Sequence, residues 1–276
     1  MKYKIVADSS SNILELSEVD YSSVPLKIIA GEKEYVDDKH LDIEDMIEYM
    51  ANYKGKSGTS CPNVYEWLEA FGDADVVFGV SITSNLSGCY GAGMQAKEIY
   101  ESEHPGAKVH IIDSLSTGDQ MQLIIEKLIE LMSAEKSFEE IKDEIEKYRK
   151  RTHLLYSLQS LRNLANNGRV SPAVAALAGV LGIRIVGTAS EEGTLEPLHK
   201  SRGERNALKT MWSEMKKRGF VGGKVRISHC LNKEAAIKMK EIILEQYKEC
   251  DIEVRQCGGL CGFYMEKGGV MIGFEG

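Results

Sequence analysis

Residues 75–93 read DVVFGVSITSNLSGCYGAG, and the reading of this stretch decides the fold. VVFGV (76–80) is a short apolar run rich in β-branched residues, which suits a strand buried on both faces. It breaks into SITSNLSG, a turn made of small and hydroxyl-bearing residues, and glycines recur at 88, 91 and 93. Two other segments repeat the plan. KIVAD (4–8) leads into SSSN, and VHIID (109–113) leads into SLSTG. Strand, polar turn and helix in repeated succession argue for a layered α/β domain with a largely parallel sheet.

That arrangement has a chemical consequence. Parallel strands bring their Ser/Thr turns to one edge of the sheet, the edge where open α/β sheets bind ligands. Helix N-termini at that edge offer unpaired N–H groups and partial positive charge, so an anion is favoured there. Gly88 lacks a Cβ and lets a partner approach the backbone beside Ser87. A single serine before a helix is usually just an N-cap. Several clustered hydroxyls exceed what capping needs. The glycine spacing is not that of the dinucleotide fingerprint.

Working outward, VPLKIIAGEKEYVDD (24–38) reads as a hairpin arm around Ala30-Gly31-Glu32. DIEDMIEYM (42–50) follows as a helix. GKSGTSCPNVYEWLEAF (55–71) reads as a glycine-rich loop holding Thr59 and Ser60, then a helix with Pro62 near its first turn. MQLIIEKLIELM (121–132) and SFEEIKDEIEKYRKRT (137–152) carry helical periodicity. LLYSLQSLRNLANNG (154–168) reads as another short helix ending at Gly168, and SPAVAALAGVLGI (171–183) as a buried apolar one. The remaining pattern mixes strands such as KVRISHC (224–230) with helices such as KEAAIKMKEIILEQYKE (233–249). The expected organisation is an N-terminal α/β domain, 1–155, and a C-terminal α+β domain, 156–276, with a ligand between them.

Composition narrows the function. A net charge of −8 argues against nucleic acid as the main partner, because a phosphate-binding surface is normally basic. No run is long and apolar enough to span a bilayer, and MKYKIVADSS lacks the apolar core of a signal peptide. The six cysteines, at 61, 89, 230, 250, 257 and 261, form no C-x-x-C and read as reduced thiols in a cytoplasmic protein.

TSCP (59–62), SITSNLSGCYGAG (81–93), IIDSLSTG (111–118) and NNGRVSPAVAALAGVLGIRIV (166–186), with ADSSSNI and HKSRG, together resemble the DegV family of bacterial fatty-acid-binding proteins. The resemblance runs over nearly the whole chain. It implies the family's two-domain EDD fold with one long-chain fatty acid buried between the domains. It also implies that the chain is not itself an enzyme. It would serve phospholipid metabolism by presenting the lipid to the separate ATP-binding subunit of fatty acid kinase, which makes an acyl phosphate. No cofactor is implied beyond the bound lipid, and transient contact with a membrane surface fits loading. By the same resemblance the carboxylate contacts fall on Thr59, with Ser60 beside it, and on Ser87 with Gly88. Arg169 and Ser114 fall at the pocket mouth or face the kinase. Asp8-Ser9 and Asp113-Ser114 shape the site. One departure stands out. The family usually carries a histidine in a turn before the last strand, and CGGLCGFYMEKGGVMIGFE (257–275) has none. Tyr264, Met265, Glu266 or Lys267 stands near that place, which puts phosphoryl transfer in question.

Other readings start from other residues. Without phosphoryl transfer the chain is a stand-alone lipid carrier or sensor. Cys257 and Cys261 on a tight turn could ligate a metal, although a zinc site usually needs four ligands. Ser87 sits where a nucleophile elbow would, but NLSGC lacks the first glycine of G-x-S-x-G. The interleaved small residues of AVAALAGVLGI (173–183) leave width for an acyl chain, or else belong to a close-packed core.

Overall fold

The computed structural model describes residues 1–176 and 182–276. The first half runs β1 (Tyr3–Asp8), β2 (Tyr21–Val24), β3 (Lys27–Ala30), β4 (Lys33–Val36), α1 (Ile43–Asn52), β5 (Ser57–Ser60), α2 (Val64–Phe71), β6 (Val76–Ser81), α3 (Cys89–Glu103), β7 (Lys108–Asp113), α4 (Asp119–Ser133) and α5 (Phe138–Arg149). The second runs β8 (Thr152–Leu158), α6 (Arg162–Asn166), α7 (Pro172–Ala176), β9 (Ile183–Ala189), β10 (Leu195–Arg202), α8 (Glu204–Lys217), β11 (Val225–His229), α9 (Lys233–Gln246), β12 (Ile252–Gln256), α10 (Gly259–Met265) and β13 (Val270–Glu275).

Three sheets result. β2, β1, β6 and β7 lie side by side, all parallel. Every residue of β6 is buried, as its unbroken apolar run requires. A mixed sheet takes the order β10-β9-β8-β13-β11-β12. The third is small and antiparallel, β4-β3-β5, its hairpin closed at Gly31 with φ of 63°.

Helix α4 is the element shared by the two larger sheets. Met121, Ile124, Ile125 and Leu128 bury against Phe78 and Val80 of the parallel sheet. Each such side chain contributes ~1.5–3 kcal/mol on burial. The polar residues of the same helix bond the mixed sheet. Asp119 Oδ2 accepts from the Ser228 amide at 2.9 Å and from its hydroxyl at 2.8 Å. Glu126 receives the Arg226 fork at 2.6 and 2.7 Å. Gly273 permits this approach, because a Cβ there would lie 2.4 Å from the Asp119 carbonyl carbon.

Several sequence expectations need correction. LLYSL (154–158) is not helical but the larger part of β8, the fully hydrogen-bonded neighbour of β9 and β13. Its closely spaced leucines mimic a helical pattern because both faces of the strand are covered. Only Arg162–Asn166 of that stretch is helix. The border expected at 155/156 cuts through β8, whose partners from Thr152 onward all belong to the mixed sheet. Thr59 and Ser60 lie on strand β5, not in a loop, paired with Ile28 and Lys27. Pro62 precedes the cap of α2, which is Asn63 with a complete capping box to Glu66. The apolar stretch 171–183 is not buried over Pro172–Ala176, where no residue is buried, and 177–181 lies outside the described residues. Among the described residues, no helix is long and apolar enough to cross a membrane.

Candidate functional site

The parallel sheet does place its three polar turns on one edge, and they are bonded to one another. The Ser114 amide donates to Ser81 O, Thr83 N to Ser116 O, and Gly118 N to Ser10 O. Asp8 joins the first two turns, accepting from Ser10 N at 3.1 Å and from Ile82 N at 2.7 Å. Burial raises the Asp8 carboxyl above its ordinary range, against the pull of these donors. The turns are therefore largely an internal scaffold. Ser87 from the second and Thr117 from the third reach the cavity beside them.

The space within that cavity, its opening to solvent included, is about 660 Å³. It lies between the parallel sheet's turns, the mixed sheet and α10. Leucines from all three parts form its wall, among them Leu26, Leu86, Leu154, Leu195 and Leu260, with Met271 from β13. Its polar groups are few and sit on separate elements. Thr59 comes from β5, Ser87 from the turn before α3, Arg169 from the segment after α6, and Tyr264 from α10. A mostly apolar hollow with a few polar groups is the usual build of a small-molecule site.

Two contacts fix the polar end. The Thr59 and Tyr264 hydroxyls are 2.9 Å apart. The Arg169 guanidinium donates to Leu86 O at 3.1 Å through Nε and to Asn167 O through a second nitrogen. Arg169 thus braces the turn that carries Ser87. The Ser87 hydroxyl accepts from the Cys89 amide at 3.3 Å and donates to Cys89 Sγ at 3.2 Å, so it also caps α3.

Not every residue singled out from the sequence reaches the cavity. Thr59, Ser87 and Arg169 line it; Ser60, Gly88 and Ser114 do not. Gly88 is exposed, and a Cβ there would stand 3.3 Å from Cys61 Sγ. Ser114 is fully buried, and its hydroxyl donates to Ser116 O at 3.0 Å. Thr117 and Tyr264 are the residues that sequence reasoning placed less well. Thr117 was inside the quoted SLSTG turn, but nothing in the letters distinguishes it from Ser114. Tyr264 was one of four residues near the absent histidine, and the bond to Thr59 separates it from the other three.

The alternative chemistries find little support in the geometry. Cys261 Sγ donates to Ser10 O at 3.4 Å, and Cys230 Sγ to Gly262 O at 3.7 Å. Among the described residues, no group of three or more His, Cys, Asp or Glu is arranged to hold a metal ion. The nearest polar partner of Ser87 is a thiol, and the cavity lining contains no histidine among the described residues.

Two buried carboxylates hold α10 and α4 in place around the cavity. Asp37, in the turn after β4, accepts from Gly259 N at 2.6 Å and Leu260 N at 3.0 Å, at the start of α10. Burial pushes its carboxyl up to about 6, and Asp119 up to about 7 by the same cause.

Comparison with known proteins agrees with this architecture. A family model described as "Uncharacterised protein, DegV family" matches residues 2–275. A DegV domain-containing protein of Streptococcus pneumoniae is 39% identical over 279 aligned residues, covering 100% of this chain and 99% of its own. The crystal structure of a DegV family protein from Eubacterium eligens loaded with heptadecanoic acid superposes with a TM-score of 0.97 at 45% identity, covering 99% of each chain. The Fatty Acid Kinase (Fak) B3 protein of Streptococcus pneumoniae, loaded with linoleic acid, superposes with a TM-score of 0.97 at 39% identity, covering 100% of this chain and 99% of its own.

Proposed function

The chain belongs to the DegV family, and from that premise we propose that it binds one long-chain fatty acid in the cavity and presents its carboxylate to a kinase subunit. The observation that carries the reading is the cavity itself, a leucine-walled hollow ending at the hydroxyls of Thr59, Tyr264 and Ser87.

A fatty acid needs two environments. Its tail gains ~0.8 kcal/mol for each methylene buried, less the cost of ordering it and of association. Its carboxylate cannot be buried unpaired. The Thr59–Tyr264 bond answers this requirement. If Tyr264 donates to Thr59, the Thr59 proton is free to point at a carboxylate oxygen, and Ser87 supplies a second hydroxyl once its proton turns from Cys89 Sγ to the ligand. Tyr264 then occupies the role for which the family usually uses a histidine.

Presentation follows from the choice of donors. Neutral hydroxyls stabilise the carboxylate less than a salt bridge does, so an oxygen keeps enough electron density to attack a phosphorus. The attack would form the acyl C–O–P linkage while a nucleoside diphosphate leaves, on a separate chain that holds the nucleotide. This chain supplies position, not bond-making groups. Arg169, at the rim of the cavity and forked, suits the incoming phosphate. Mixing the protein with a fatty acid kinase ATP-binding subunit, ATP and oleic acid tests the proposal. Acyl phosphate should form with the parent and fall sharply with Thr59→Ala/Ser87→Ala. Binding of oleic acid without any phosphoryl transfer would leave a stand-alone carrier instead.

A further inference from the structure

Cys61 and Cys89 stand immediately after the two polar corners of the cavity, Thr59-Ser60 at the end of β5 and Ser87-Gly88 at the start of α3. Neither lines the cavity, so neither is needed for binding. Their two thiols are near enough to shift one another's ionisation. Gly88 makes the contact possible: the Cys61 sulfur rests 3.3 Å from where a Cβ would project, against the first turn of α3. The pair is asymmetric. Cys61 is exposed, and Cys89 is completely buried.

The asymmetry divides two chemical roles. The neighbouring Cys89 thiol, helped by the amides of Cys61 itself and of Gly88 at the start of the fifteen-residue α3, holds the Cys61 thiol well below the ordinary cysteine value. That thiol is therefore reachable and the more readily ionised of the two. The Cys61 thiol beside it, together with burial, holds Cys89 well above its ordinary value, so it stays protonated until an electrophilic sulfur is beside it. The other thiols lack this combination. Cys230, Cys257 and Cys261 are buried, and Cys250 is half-buried with its thiol pushed up to about 11 by burial.

We propose that Cys61 and Cys89 form a reversible disulfide that locks the rim of the cavity and slows exchange of its occupant. The oxidant is hydrogen peroxide. The Cys61 thiolate attacks one peroxide oxygen, the O–O bond breaks, and the leaving hydroxide takes up a proton to become water. The sulfenic acid formed on Cys61 is then attacked by the Cys89 sulfur. An S–S bond forms, hydroxide leaves the Cys61 sulfur, and the Cys89 proton converts it to a second water. A cellular thiol reverses the change by exchange. The link ties the end of β5 to the start of α3, which removes the local opening that would part Thr59 from Ser87.

The effect on exchange rests on the fatty-acid reading above; the disulfide itself does not. The test treats the reduced full-length protein with hydrogen peroxide, maps its peptides without reductant, and follows release of preloaded cis-parinaric acid. The expected result is a linked peptide joining Cys61 to Cys89, restored to free thiols by dithiothreitol. Release should slow at least several-fold in the oxidised parent and stay fast in peroxide-treated Cys61→Ser. A Cys61 that oxidises only to sulfinic acid, with Cys89 still alkylatable after unfolding, would overturn the proposal. A linked peptide with unchanged release would overturn the lock. Failure of the reduced protein to take up cis-parinaric acid would remove the fatty-acid reading and the lock with it, while the linked peptide would still stand or fall by its own map.

Discussion

Thr59 and Tyr264 are separated by 205 residues of chain, and their hydroxyl oxygens are 2.9 Å apart. One belongs to the small antiparallel sheet, the other to a seven-residue helix before the last strand. Both side chains line the cavity.

Tyr264→Phe keeps the ring and deletes the hydroxyl. Tyr264 acts through Thr59, so its loss should weaken fatty-acid binding without emptying the cavity. The neutral bond deleted is worth ~0.5–1.5 kcal/mol, which corresponds to roughly two- to tenfold in Kd. The matching fatty alcohol, with no charged head, should bind parent and variant alike. Titration with both ligands checks this; equal losses for acid and alcohol would mean that the substitution merely disturbs packing.

Arg169, in the cavity lining, donates to Leu86 O and Asn167 O. Arg169→Ala should lower acyl phosphate formation by an order of magnitude or more while changing fatty-acid affinity only a few-fold. Arg169→Lys should not rescue it, because an ammonium cannot reproduce the fork. Binding and turnover measured on the same preparations separate the two effects, and a parallel loss of both would assign Arg169 to binding alone.

The wall of the cavity sets the length of tail it admits. Leu195, partly buried on β10, faces the hollow, and Leu195→Trp should fill part of it. Excluding two or three methylenes at ~0.8 kcal/mol each lowers long-chain affinity roughly tenfold or more. Shorter acids should lose less, and a chain-length series read by competition tests the ordering.

The share of stability held by Asp119 and Asp37 should decline as pH rises across the weakly acidic range, while His110, His153 and His229, held down by burial, act in the opposite sense there. Asp119 has a folded value of about 7 against an ordinary 3.8, and Asp37 about 6. Between about pH 4 and those values the folded chain keeps protons that the unfolded chain has lost. Their contribution is complete below about pH 4 and is lost as pH climbs through 6 and 7. Glu214, held down to about 2 by Lys217, Arg218 and His199 despite its burial, acts in the opposite sense and only at lower pH. Asp119→Asn removes one of the two upper components and keeps an acceptor for Ser228. Its Tm relative to the parent should therefore rise by several degrees between pH 5 and 8, and a constant gap across that range would contradict the assignment.

Much of this was legible in the letters, for physical reasons that differ from place to place. VVFGV had to be a covered strand, and the Ser/Thr turns after it had to share an edge once the strands were parallel. LLYSL was misread because a strand covered on both faces has no period of two to betray it. Thr59 lines the cavity although its setting is a strand and not a loop. Ser114 and Thr117 could not be told apart, because which of two neighbouring hydroxyls turns inward depends on the bonding among three turns. Tyr264 needed the tertiary fold, since only packing brings α10 against β5.

The most direct measurement is native mass spectrometry of the purified protein, followed by denaturation and lipid analysis of what it releases. The account predicts one long-chain fatty acid per chain, lost from the native spectrum when Thr59 and Ser87 are both changed to alanine. A chain that carries no lipid and takes up none when oleic acid is added would contradict it.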